Sequence, residues 1–147
     1  MIFKRKSLIM ALSLSLFGCS GVRPNNLGIK NGELAPCPNS PNCVSTKAQD
    51  KKHAIPPIRY TTSRQETMAK LIAIIRSMPR TNIVETTDDY LQVEFTSAVF
   101  RFVDDVEFYL GDTDKTIQFR SASRLGYSDF GVNRKRMKEI IRRFKAS

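Results

Sequence analysis

Residues 99–123 read VFRFVDDVEFYLGDTDKTIQFRSAS, and the way this stretch pairs with itself decides the fold. Phe100, Phe102, Val106, Phe108 and Leu110 occupy even positions of 99–110, while Ile117 and Phe119 occupy odd positions of 116–123. A strand sends alternate side chains to opposite faces, so each run has one apolar face. With 111–116 as the turn, an antiparallel register whose paired numbers sum to 227 sets Leu110 against Ile117 and Phe108 against Phe119. The same register sets Glu107 against Arg120 and Tyr109 against Gln118 on the other face. Apolar therefore meets apolar and acid meets base along the hairpin. Two features disturb the pattern: Asp104 falls on the apolar parity, and a 12-residue run is long for a strand. A bend or bulge at Asp104-Asp105 is the expectation.

Working back from the hairpin, Leu91, Val93 and Phe95 alternate with Gln92 and Glu94 in a strand over 90–96. Asp88-Asp89 forms the turn from a strand over 82–87 that includes Val84. Ser63 and Glu66 have the spacing of a capping box, and Met68, Leu71, Ile72, Ile75 and Met78 follow at helical spacing until Pro79 ends the run. Ile55-Pro56-Pro57-Ile58 is extended, with a short edge strand over Arg59-Tyr60-Thr61. Forward of the hairpin, residues 124–131 form a loop with two glycines. Met137, Ile140, Ile141 and Phe144 then mark a closing amphipathic helix. The sum is an α+β domain of two layers, a four-stranded antiparallel meander with two helices on its apolar face.

The first residues bear on compartment. A basic start (Lys4, Arg5, Lys6) and an apolar run of about a dozen residues make a secretory leader, too short to span a bilayer as a helix. Residues 16–19, LFGC, resemble the bacterial lipobox, although Phe17 is bulkier than the residue usual there. The implied chemistry is a diacylglyceryl thioether on Cys19, cleavage of residues 1–18 and acylation of the new amine, typically with palmitate. A plain signal peptide is the alternative. Ser20 rather than aspartate follows the cysteine, which by resemblance to Gram-negative lipoproteins directs the chain to the outer membrane with its domain in the periplasm. Residues 19–35, rich in Gly and Asn and without period, are expected to be a lipidated flexible tether, leaving 36–147 as the folded domain.

Of 147 residues, 24 are Lys or Arg and 14 Asp or Glu, with three cysteines, one histidine and no tryptophan. Ordinary apolar content excludes a wholly disordered, collagen-like or multi-span chain. In an oxidising compartment Cys37 and Cys43, separated by Pro, Asn and Ser, are most simply a disulfide, leaving Cys19 for the lipid. A redox or metal role is the alternative, although His53 is the only histidine a metal site could use. Removing Lys4, Arg5 and Lys6 with the leader leaves 21 basic against 14 acidic residues, a net +7. The closing helix holds seven Lys/Arg and one Glu, so +6 of that excess is local. Arg134, Arg136, Arg142 and Arg143 are thus candidates for binding an anionic lipid, lipopolysaccharide or an acidic envelope protein, the alternative being a solvated outer face. Nucleic acid is a poor partner for an exported chain.

Three segments together, CPNSPNCVS (37–45), FVDDVE (102–107) and RSASRLGYSDFGVNRKR (120–136), resemble the family of domain of unknown function 1499 over nearly all of the chain beyond the tether. Bacterial members resemble small secreted or lipoprotein-type envelope proteins, and relatives occur in plastids. The resemblance implies no activity, substrate or cofactor. It does single out Asp104, Asp105, Arg120, Ser121, Ser123, Arg124, Tyr127, Asp129, Asn133, Arg134 and Arg136.

Hairpin geometry brings most of these to one sheet end, where two readings compete. One is an open pocket in which Arg120 or Arg124 grips a carboxylate or phosphate beside the start of the last helix. The other is an internal network, Asp104 with Arg124 and Asp129 capping the helix. A hydrolase using Asp104 and Asp105, with Glu107 or Asp129 in support, is the catalytic alternative to a non-catalytic binding protein. The sequence contains no phosphate loop, dinucleotide fingerprint or metal-binding Cys/His set, and His53 reads as a surface or packing residue.

Overall fold

The computed structural model describes residues 20–111 and 114–147. The leader and Cys19 lie outside the described residues. Within them the chain runs β1 (Cys43–Ser45), β2 (Ile58–Arg59), α1 (Arg64–Arg76), β3 (Thr81–Thr86), β4 (Tyr90–Thr96), β5 (Val103–Leu110), β6 (Thr116–Ser123) and α2 (Val132–Ala146). The class is α+β, as the patterns require. The sheet has six strands rather than four. The meander β3-β4-β5-β6 is extended by β1 and β2, both antiparallel to β6, with β1 along its Arg120–Ala122 stretch and β2 at Thr116–Ile117. β2 overlaps at Arg59 the short edge strand expected over 59–61, starting one residue earlier, whereas three-residue β1 is too short to show a period.

The last hairpin keeps the predicted register from Asp104↔Ser123 to Leu110↔Ile117. The expected bulge at Asp104-Asp105 does not occur, because β5 starts at Val103 and pairs without a shift with both neighbours. Residues 97–102 instead make the β4–β5 loop, closed by the Ser97 amide donating to the Phe102 carbonyl at 2.8 Å, with Arg101 at φ 59°. The even parity of Phe100 and Phe102 is incidental to strand structure, and both rings are exposed. The one irregularity falls in β3, between Ile83 and Glu85.

Ser63 caps α1 as its spacing predicts: its hydroxyl accepts from the Glu66 amide at 3.1 Å, and the Glu66 carboxylate accepts from the Ser63 amide at 2.9 Å. Leu71 and Ile75 of α1, with Met137, Ile140 and Phe144 of α2, share one core with Leu91, Val93, Phe95, Val106, Phe108, Leu110, Ile117 and Phe119. Phe108 and Phe119 meet with ring centroids 6.2 Å apart.

The other face of the sheet is covered as well. Residues 20–42, of which 20–35 has the composition of a free tether, lie against it as an irregular arm. The Gly28 amide donates to Glu107 at 2.7 Å, Arg23 reaches Glu94 at 2.6 Å, and Leu34 is buried. The arm bonds through single backbone and side-chain groups rather than through a repeating apolar stripe, so it has no period for composition to reveal. The Cys37–Cys43 disulfide, with Cα atoms 5.7 Å apart, joins the arm to β1. His53 packs inside, its ring nitrogens facing the Ser40 carbonyl and the Asp50 carboxylate, each at 3.0 Å.

Candidate functional site

Asp104 and Asp105 are neighbours on β5, so the pleat sends them to opposite faces of the sheet. The polar residues singled out by sequence divide accordingly into two clusters.

On the helix face, Asp104 pairs with Arg136 of α2 at 2.6 Å, rather than with Arg124. The Arg136 guanidinium also lies 4.6 Å from the centroid of the Phe95 ring and donates to Asn133 Oδ1 at 2.8 Å. Asn133, fully buried in the first turn of α2, is the hub. Its Oδ1 also accepts from the Ser121 hydroxyl, and its amide nitrogen faces Ser123 Oγ, Asp129 Oδ2 and the Asn42 carbonyl at 2.9, 2.9 and 3.2 Å. Two amide hydrogens serve three acceptors there. Asp129 caps the helix, accepting from the Asn133 amide at 2.7 Å and the Gly131 amide at 3.0 Å.

On the arm face, the register sets Glu94 of β4 directly against Asp105 of β5. Opposed like charges destabilise a sheet unless a cation lies between them. Arg124 supplies it, donating to Asp105 through Nε and Nη2 at 2.8 Å each and through Nη2 to Glu94. Arg23 of the arm and Asn82 of β3 complete the shell of Glu94. Burial pushes the Glu94 carboxyl up, but its bonds to Arg23, Arg124 and Asn82 outweigh that and hold it at about 2. One row along, Glu107 is fully buried and accepts from Arg120 at 3.2 Å, the Tyr90 hydroxyl at 2.9 Å and Gly28. Burial, then the charge of Glu107, drives the Tyr90 phenol upward, so it stays a donor.

A cavity of about 360 Å³ adjoins this cluster, bordered by Pro24, Asn26, Pro36, Asp105, Arg120 and Arg124. Its guanidiniums are charge-balanced, although the buried Arg120 Nε and Asn26 Oδ1 on its wall have no hydrogen-bond partner among the described residues. Arg23, Arg120 and Arg124 balance Glu94, Asp105 and Glu107, and the Arg124 side chain is only 7% exposed. The arrangement is an internal ion-pair network, and Tyr127 stands apart from it, exposed on the 124–131 loop.

The four candidate anion-binding arginines of α2 have partners too. Arg134 donates to the carbonyls of Ala54 and Lys52 at 2.8 and 2.7 Å, pinning the loop before β2, and Arg136 holds Asp104. Arg142 and Arg143 share Glu139, whose carboxyl they hold at about 2, and Arg143 also reaches Ser77 at 2.9 Å. Outward charge on α2 is carried by exposed Lys135, Lys138 and Lys145, for which no ion pair occurs among the described residues, and by half-satisfied Arg142.

Sequence reading missed Glu94, Tyr90, Arg23 and Gly28. A signal existed for the first of these: with the β4–β5 pairing drawn, Glu94 opposes Asp105, and that clash demands a cation. Among the described residues, no group of three or more His, Cys, Asp or Glu is placed to hold a metal, and no helix is long and apolar enough to cross a membrane.

These features define a small α+β domain whose buried polar residues lock its layers together. The chain belongs to the family described as protein of unknown function, DUF1499, whose model matches residues 33–144. No curated protein matches it.

Proposed function

We propose that the chain is a cell-envelope lipoprotein, acylated at Cys19 and held at the outer membrane, whose domain is a non-catalytic module for an anionic envelope component or an acidic partner protein. The observation that carries the non-catalytic half is the disposition of the acids. A hydrolase that works through the Asp104/Asp105 pair needs both carboxylates converging on one substrate. Asp104 and Asp105 face opposite sides of the sheet, each closed by an arginine, and Glu107 is sealed beneath the arm. The leader and LFGC support the anchor. The lysines of α2, clear of the core and unopposed, support the anionic partner.

The test compares a chain starting at Ser20 on anionic and neutral liposomes. Retention on anionic vesicles is expected to fall with salt and to fall further in a Lys135→Gln, Lys138→Gln, Arg142→Gln, Lys145→Gln variant that keeps its melting temperature. Equal retention on neutral vesicles would remove the reading, as would a turnover abolished by Asp105→Asn in a folded domain.

A further inference from the structure

Among the described residues, every large apolar side chain that is exposed lies at one end of the sheet. Val99, Phe100 and Phe102 come from the β4–β5 loop, and Leu125, Tyr127 and Phe130 from the loop between β6 and α2. These loops adjoin: the Arg124 amide donates to the Val103 carbonyl at 3.1 Å. Phe130 is 96% exposed and Tyr127 73%, and Phe100 stacks on Phe102 with centroids 5.6 Å apart while both remain open to solvent. A soluble protein rarely groups such residues without something to cover them.

Charge follows the same axis. Arg80 and Arg101 are exposed at this end, and neither forms an ion pair among the described residues. Glu85, Asp88, Asp89 and Asp114 lie at the opposite end, around the β3–β4 and β5–β6 turns. Aromatic and aliphatic tips flanked by arginines, with the one acid of these loops, Asp129, turned inward to cap α2, match the headgroup and upper acyl region of an anionic bilayer.

The arm says which surface comes near. Gly21 packs so closely on the 124–131 loop that a Cβ there would lie 3.0 Å from both Arg124 Cβ and Leu125 Cγ, and exposed Val22 follows it. Cys19 is two residues earlier, a reach of about 7 Å. We infer that this end of the domain, the tips of the β4–β5 and β6–α2 loops, is a membrane-docking surface that inserts into the bilayer holding the Cys19 lipid. The inference rests on the lipoprotein reading for the closeness of the bilayer, while the composition of the surface is independent of it. The domain then lies flush on the membrane in one orientation instead of swinging on a tether. The three acyl chains on Cys19 hold the chain at the membrane, and the loop tips fix which face of the domain meets it.

The absence of tryptophan supplies the experiment. Mature lipidated protein carrying Phe130→Trp, and separately Asp88→Trp, is reconstituted into phosphatidylethanolamine/phosphatidylglycerol vesicles with brominated acyl chains. Emission from the Phe130→Trp protein is expected to shift to the blue and to be quenched, while that from the Asp88→Trp protein does neither. The mass of the N-terminal peptide reports lipidation independently. A lipidated protein whose Phe130→Trp emission is unshifted and unquenched overturns docking and leaves the lipoprotein reading standing. An unlipidated protein still quenched on added vesicles overturns the anchor and retains the surface, and one without quenching overturns both. In the unanchored chain, Phe100→Ser, Phe102→Ser and Phe130→Ser together should lower vesicle partitioning about tenfold or more.

Discussion

On the helix side of the sheet, Leu91, Val106, Phe108 and Phe119 meet Leu71, Ile75, Met137 and Ile140. On the arm side, Glu94, Asp105, Glu107 and Arg120 meet irregular backbone together with Arg23 and Arg124. Both faces are largely buried, yet they fail differently. Apolar packing loses stability in proportion to the volume removed, and neighbours partly relax around the gap. A buried ion network depends on completeness, because removing one member leaves its partner charged and unsolvated.

The sharpest way to break the comparison is therefore to halve a pair. Arg120→Met should cost about 3–5 kcal/mol in urea unfolding, because Glu107 then keeps only Tyr90 and Gly28. Adding Glu107→Leu should restore most of that loss. On the helix side Phe108→Ala should cost a similar 3–5 kcal/mol, but with no second substitution that rescues it by removing a partner. A double mutant as unstable as Arg120→Met alone would dissolve the distinction between the faces.

Next in size is the strap itself. Cys37→Ala with Cys43→Ala opens a short ring and should lower stability by about 2 kcal/mol, with hydrogen exchange rising first in the arm. The arm face should also carry the stronger acid dependence. Glu94 titrates at about 2 when folded against 4.5 ordinarily, so its contribution is complete above about pH 4.5 and is lost as pH falls toward 2. After screening, roughly 1–2 kcal/mol is at stake, and Arg23→Gln should shrink it. The smallest effect belongs to Arg142→Ala, which removes one partner of an exposed pair and should leave the urea midpoint essentially unchanged.

The same contrast explains what could be read in advance. Parity places Phe108 against Phe119 and Leu110 against Ile117 because alternation is a period, and a period survives in a single sequence. The capping box on α1 was legible for the same reason, as a fixed spacing. Phe100 and Phe102 continued the strand parity into a loop, since nothing in alternation says where a strand starts. Of the candidate site, the identities of Asp104, Asp105, Arg124 and Asn133 were visible, but their partners were not. Whether Asp104 meets Arg124 or Arg136 depends on which face of β5 it occupies and on what covers that face, and the arm's position is written in isolated contacts such as Gly28 with Glu107.

Those contacts have a temporal side. Arg23, Gly28 and Asn42 bind residues 71, 79 and 84 positions later in the chain. Closing so long a loop before its partners exist brings no return, so the arm locks only after the final hairpin has zipped. Pulse-labelled exchange during refolding should find the Gly28 amide protected after those of β5 and β6. On the lipoprotein reading proposed above, a chain exported amino end first would keep the segment beside Cys19 slack until the last third has followed, the interval in which acylating and cleaving enzymes would reach it.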